Sequence, residues 1–383
     1  MTITQANLFT TEAERMPFSV SLHGMRGIAA VVVLCGHIVE RVYSPWGDDV
    51  PHIDVFNGSA AVTFFYTLSG LVLGASLARK NEGLSGLIPY FTRRLFRLMP
   101  LMFVSVSVCG LYLLFVEPHV PSPWVPESYG TLTVGKFLAG YIGYSLKPNP
   151  PIWSIFVELV ASILLPFMVM TGRGPVYIIV CGIALLGFGS FNLGMHHHWN
   201  FYMIDFFLGL TILWWGRAFA DFMVRLDKRV FWCSLAALFG VFYLRGKIWH
   251  RVFGDPSFNL VEVAAITPLI AVAFFKPERF VWIETKAFRF LGDISFSLYL
   301  THTLLIALAF NALVMPFPSI VQYPLALSIG MIVIMLPICV YVAHLSFRFI
   351  ETPGIRLGKW ASSALEVSED LASLPRSQPL TSE

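Results

Sequence analysis

Ten apolar runs, each long enough to cross a hydrocarbon layer as a helix, decide what this chain can fold into. They lie at roughly 24–42, 59–79, 96–116, 152–171, 175–193, 200–219, 229–245, 257–275, 290–313 and 323–350. About 20 apolar residues in a helix span a bilayer core of about 30 Å. Hydrophobic residues make up 56% of the 383 and charged residues only 13%, where a soluble domain carries about 25% charged. The expected fold class is therefore all-α, a polytopic membrane helical bundle of about ten transmembrane helices over residues 21–358. Residues 1–20 read as an N-terminal tail. Residues 359–383, with their Ser, Glu and Pro, read as a disordered C-terminal tail. A shorter amphipathic piece near 133–146 reads as interfacial or re-entrant.

Loop charge orients the bundle, because Lys and Arg gather on the cytoplasmic side. With the N-terminus inside, the inner loops carry Arg79, Lys80, Arg93, Arg94, Arg97 and Arg173. They also carry Arg217, Arg225, Lys228, Arg229, Lys276, Arg279, Lys286 and Arg289. The outer loops carry Arg41, Lys136, Lys147 and a group that breaks the rule, Arg245, Lys247 and Arg251. An even number of spans puts both termini in the cytoplasm. The net charge of +3 does not point to nucleic acid. The five cysteines all fall within apolar runs, which suggests neither a disulfide framework nor a metal site. His196, His197 and His198 lack the i, i+4 spacing of ligands, so no metal is expected there either. No basic start or small-residue cleavage pattern precedes the first run, so no cleaved signal peptide is expected.

The first run holds Arg26 and His37, eleven residues apart. Eleven helical steps return the phase to within about 20° and climb about 16 Å, so the two side chains share a face at different depths. Ionisable groups inside a span cost about 2.5–3.5 kcal/mol on insertion scales and mark functional sites. The plain alternative is a polar cluster that holds helices together. Other groups reach the same central layer: Ser69 in the second run, Ser154 and Glu158 one turn apart in the fourth, and Ser295, Tyr299 and His302 along one stripe of the ninth. Asn149, Pro150 and Pro151 read as the cap and first turn of the fourth span, with Trp153 near the outer surface. Arg26, Arg94 and Arg97 form an inner layer fit for phosphates, which arginine binds through paired, charge-assisted hydrogen bonds. His37 suits a general base, and Glu158 a group that orients it or holds a proton. Asp205, Asp293 and Glu351 lie near span ends and read as structural.

Six blocks along the chain resemble a known family. Arg26 through His37 is similar to its opening, an Arg, ten residues, then a His. Phe65-Tyr66-Thr67-Leu68-Ser69-Gly70 resembles its Phe-Phe-x-Leu-Ser-Gly, and Arg94-Leu95-Phe96-Arg97 before Pro100 its Arg-x-x-Arg stretch. Trp153-Ser154 with Glu158 resembles its Trp-Ser-x-x-x-Glu. Ser295 to His302 resembles its Ser-Tyr-Ser-x-Tyr-Leu-x-His block, and Ile350-Glu351-Thr352-Pro353 its closing Ile-Glu-x-Pro. The family is acyltransferase 3, integral membrane O-acyltransferases that use acyl-CoA. The chain departs from the pattern at His23 and Thr63, where the family usually has Asp, and at Leu159, a frequent second acid. Some members carry a C-terminal hydrolase-like domain, which is not expected here.

The resemblance implies a multi-pass enzyme of the bacterial inner membrane. It would move an acyl group, acetyl by default, from acyl-CoA as co-substrate to a hydroxyl of a sugar, polysaccharide or natural product, with no permanently bound cofactor. It assigns catalysis to His37 and Glu158 and CoA binding to Arg26, Arg94 and Arg97. Trp153, Ser154, Ser69, Tyr299 and His302 would line the substrate site. An acyl intermediate on His37, the side from which the acceptor enters, the acceptor itself and the oligomeric state all stay open. A proton-coupled transporter is the rival from another class, since midplane His and Glu also serve carriers. A non-catalytic membrane scaffold is the third.

Overall fold

The computed structural model describes residues 19–43, 56–80, 86–116, 132–191, 193, 199–249 and 257–373. In chain order the α-helices are α1 (Val20–Tyr43), α2 (Gly58–Lys80), α3 (Leu87–Phe115), α4 (Val134–Gly140), α5 (Ile152–Thr171) and α6 (Pro175–Ser190). They continue as α7 (Met203–Arg225), α8 (Lys228–Trp249), α9 (Ser257–Phe275), α10 (Lys286–Val314), α11 (Pro324–Ser346) and α12 (Thr352–Ser373). Each of the ten apolar runs forms a helix. Among the described residues seven helices are long and apolar enough to span a membrane, while Pro175–Ser190 and Asn259–Phe275 are shorter apolar helices. His196, His197, His198 and Arg251 lie outside the described residues.

The surface is that of a protein solvated by hydrocarbon. Val176, Ile179, Val180 and Ile183 on α6, and Val333 and Ile334 on α11, are exposed, whereas Thr63, Asn149 and Asp205 are 0% exposed. Water would reverse that arrangement. Apolar burial drives little helix association in lipid, so close backbone packing at small residues holds such bundles. Two helix pairs show it. Gly24 and Gly27 of α1 lie against Ile283 and against Leu291 and Gly292 of α10, where a Cβ at Gly27 would meet the α10 backbone. Gly70 of α2 lies on the Phe206 carbonyl of α7, and Gly209 of α7 on the Thr67 carbonyl of α2. Alpha-1 also contacts α2 and α11, and α2 contacts α5 and α9. Four of these helices (α1, α2, α5 and α10) enclose the site.

Several expectations about boundaries are corrected. The third and ninth runs begin earlier than hydropathy indicates, at Leu87 and Lys286. The arginines that end the apolar windows do not end the helices, because they pack inside the bundle or at its edge. Thr285 caps α10 by accepting from the Phe288 amide, 3.4 Å. Asn149 does not cap α5, whose N-cap is Pro151 without a side-chain bond. Its amide instead donates to the Leu300 carbonyl, 3.0 Å, and to Ser105, and accepts from Thr303, 3.0 Å. The stretch from 359 is not disordered through its first part: α12 runs to Ser373. Gly354 and Gly358 let that helix sit on Phe96 and Pro100 of α3, which gives a polar sequence a packed face. Residues 374–383 lie outside the described residues.

Between α11 and α12 the helix widens into one π-helical stretch, Phe347–Glu351. Pro353 has no N–H for the carbonyl of residue 349 and its ring crowds that carbonyl, and a wider turn relieves both. The widening turns Glu351 inward, where it is 3% exposed and accepts from Ser297 Oγ of α10, 2.8 Å.

Candidate active site

Arg26 of α1, Ser69 of α2, Ser154 and Glu158 of α5, and Tyr299 of α10 line one cavity. Val62, Phe65, Tyr66, Ile155, Ser295 and Phe296 complete its wall. Five of the ten residues expected in the site thus meet at one surface, while His37, Arg94, Arg97, Trp153 and His302 are not part of that lining.

At one end stand five charged groups. Arg94 of α3 is 8% exposed; its guanidinium pairs with Glu158 and donates through Nε to Ser162 Oγ, 2.9 Å. Ser69 Oγ donates to the same Glu158 oxygen, 3.3 Å. Arg26 and Arg97 interact electrostatically with each other and with both Glu158 and Glu351. Yet among the described residues neither makes a hydrogen bond or an ion pair. Three guanidiniums face two carboxylates, so one positive charge is in excess, and ten N–H donors on Arg26 and Arg97 (five on each) have no acceptor. The three arginines are therefore not equivalent. Arg94 is committed to Glu158, which sets it apart from the phosphate ligand expected of it; Arg26 and Arg97 have the capacity to take an anion.

Beyond Tyr299, behind the cavity wall, lies a pair of histidines. His302, 1% exposed, has its ring centre 6.0 Å from that of Tyr299. It meets His37 across α1 and α10, with His37 Nδ1 and His302 Nε2 2.6 Å apart. His302 is thus a partner of His37 rather than a wall of the cavity. Glu158 makes no hydrogen bond to His37: its Oε1 accepts from both Arg94 and Ser69. Among the described residues the nearest carboxylate to His37 is Glu40, 70% exposed, whose Oε2 is 3.8 Å from His37 Nε2, too long for a hydrogen bond. Trp153 packs on Tyr66 and Tyr202, ring centres 6.4 and 5.4 Å away, and does not line the cavity.

Sequence reading missed Glu351, which looked like a span-end acid. The Pro two residues later was the available signal for the widened turn that carries it inward. It also missed how the departures are accommodated. His23 Nε2 lies 2.9 Å from Asp293 Oδ1 across α1 and α10. Thr63 Oγ1 donates to Asn259 Oδ1, 2.9 Å, and to Glu262 Oε2, 3.3 Å, and Asn259 in turn donates to Asp205, 2.6 Å. Leu159 packs against the apolar core.

The arrangement can hold an anion at the Arg26 end and accept a proton at the His37 end, about 16 Å further along α1. A family model described as an acyltransferase domain matches residues 19–344. Neither a curated protein nor a solved structure matches the chain.

Proposed function

The chain belongs to that acyltransferase family, and from this premise we propose that it moves an acyl group, acetyl by default, from acyl-CoA to a hydroxyl of a sugar, polysaccharide or related acceptor. The carrying observation is the pair of half-buried arginines, Arg26 and Arg97, whose donors have no acceptor among the described residues while their neighbour Arg94 is held by Glu158 and Ser162. Phosphate oxygens of CoA match that donor set in charge and geometry. The pantetheine arm then runs along the Ser295–Tyr299 stripe and brings the thioester toward His37.

There His37 takes the proton of the acceptor hydroxyl. The hydroxyl oxygen attacks the thioester carbonyl carbon, the new C–O ester bond forms, and the C–S bond breaks. The departing thiolate receives the proton back from His37 and leaves as the free thiol. Ser69, Ser154 and Tyr299 offer hydroxyls to the reacting ends. Glu158 faces the cavity but serves to fix Arg94 and balance the arginines. The donor enters from the cytoplasm, where both termini lie, in a bacterial inner membrane.

The test is thiol release from acetyl-CoA by detergent-purified protein, with crude envelope extract as the source of acceptor and uptake into proteoliposomes measured alongside. Acceptor-dependent thiol release is the expected result. Uptake of a solute with no thiol release across acyl chain lengths would transfer the site to the transporter reading.

A further inference from the structure

The His37–His302 pair has a direction. His302 Nδ1 lies 3.0 Å from the Leu298 carbonyl oxygen. A carbonyl only accepts, so Nδ1 carries the hydrogen. A charged imidazole at 1% exposure, touching no carboxylate, would cost several kcal/mol, so His302 is neutral and its Nε2 bears a lone pair. The only hydrogen available for the 2.6 Å contact is then on His37 Nδ1. Ring planes 8° from parallel, with centres 4.9 Å apart and nitrogens this close, put the two imidazoles edge to edge, as an in-plane N–H···N bond requires. With Nδ1 protonated, neutral His37 keeps its lone pair on Nε2, and Nε2 has no hydrogen-bond partner among the described residues.

We infer that His302 is a positioning residue: through the relay Leu298 carbonyl, His302, His37 it holds His37 in the Nδ1–H tautomer and turns the basic Nε2 toward the acceptor hydroxyl. This rests on the reading of His37 as the base. The opposite tautomer would place a hydrogen where the lone pair must act, and a neutral imidazole has only one lone-pair nitrogen to offer. Wrong-tautomer histidines in hydrolases lose orders of magnitude in rate while geometry stays intact. The i−4 carbonyl of a helix is a fixed anchor, so the relay needs no acid at its base.

The test uses full-length protein in nanodiscs, labelled with ¹⁵N-histidine, at pH 8, where an ordinary imidazole is neutral. The His37 signals are identified by their loss in His37→Gln. Wild type is expected to show Nδ1 protonated and Nε2 bare. His302→Gln, whose amide oxygen takes the place of Nε2, is expected to keep that tautomer and most of kcat. His302→Leu is expected to lose the tautomer and about 10²-fold in kcat, with KM for acetyl-CoA unchanged. A wild-type His37 protonated on Nε2 would overturn the inference before any variant is made. So would a His302→Leu protein that keeps the tautomer, or equal kcat losses in the Gln and Leu variants. The spectra need no turnover, so a correct tautomer in a protein that never releases thiol would remove the acyl-transfer reading and leave the pairing in place.

Discussion

At the Arg26 end of the cavity, five charged groups from α1, α3, α5 and the π-helical stretch face one another; beyond its Tyr299 wall, two imidazole rings from α1 and α10 share one hydrogen bond. The first is held by charge and the second by the position of a single hydrogen. Charges in a low-dielectric region interact strongly over several ångströms, so the arginine end keeps its excess positive charge even if a side chain shifts. A tautomer has no such tolerance. The two ends therefore fail differently. Damage at the charged end should show in folding and in donor affinity, and damage at the imidazole end in the chemical step.

The largest effect that would sharpen this contrast comes from Arg94. Arg94→Leu leaves Glu158 buried without its partner, and breaking such a pair costs about 3–5 kcal/mol. Thermal unfolding in detergent should show it as a lowered midpoint. Arg94→Leu combined with Glu158→Leu should recover most of the loss, since no charge is then stranded. A single variant as stable as wild type would mean that the pair is not closed in the folded protein. Next in size is Arg26→Gln. One charge-assisted hydrogen bond is worth about 1.5–3 kcal/mol, so KM for acetyl-CoA should rise about 10- to 100-fold with kcat nearly unchanged. A fall in kcat at constant KM would place Arg26 with the chemistry instead and erase the distinction between the ends. The smallest effect belongs to Ser297→Ala, which removes the hydroxyl that donates to Glu351. That should cost about 1.5 kcal/mol of stability, the low end for a bond to a charged group, and leave kcat alone. A large kcat loss would show that the charged end reaches into the reaction.

Much of this architecture is legible in the residues; the rest depends on contacts between helices and on one break in the helical period. Period and length reveal each of the ten apolar runs as a helix. The eleven-residue step from Arg26 to His37 gives their common face, because helix geometry alone decides it. Which residue faces His37 from another helix is a matter of how α1 and α10 are rotated on each other, and that follows from Gly27 packing on the Gly292 amide and Gly292 packing on His23. Glu158 and His37 both reach the central layer, but depth is not proximity: α5 turns Glu158 toward α3 and Arg94. Glu351 was hidden by the widened turn, which breaks the 3.6-residue phase on which any reading of helix faces depends. Asn149 next to two prolines reads as a cap, yet its buried amide ties α3 to α10, and the first amides of α5 donate to the backbone carbonyls of Asn149, Pro150 and Pro151 instead.

Donor binding at the Arg26 end of the cavity and proton removal at His37, beyond the Tyr299 wall, are proposed as separate tasks. The most direct measurement is a pair of values for His37→Gln in nanodiscs: affinity for a non-transferable acetyl-CoA analogue, and turnover of acetyl-CoA with acceptor present. Affinity within about twofold of wild type is expected, with turnover lower by about 10²–10⁴-fold, the range for a lost general base. Wild-type turnover in His37→Gln, or analogue affinity lost along with turnover, would contradict that separation.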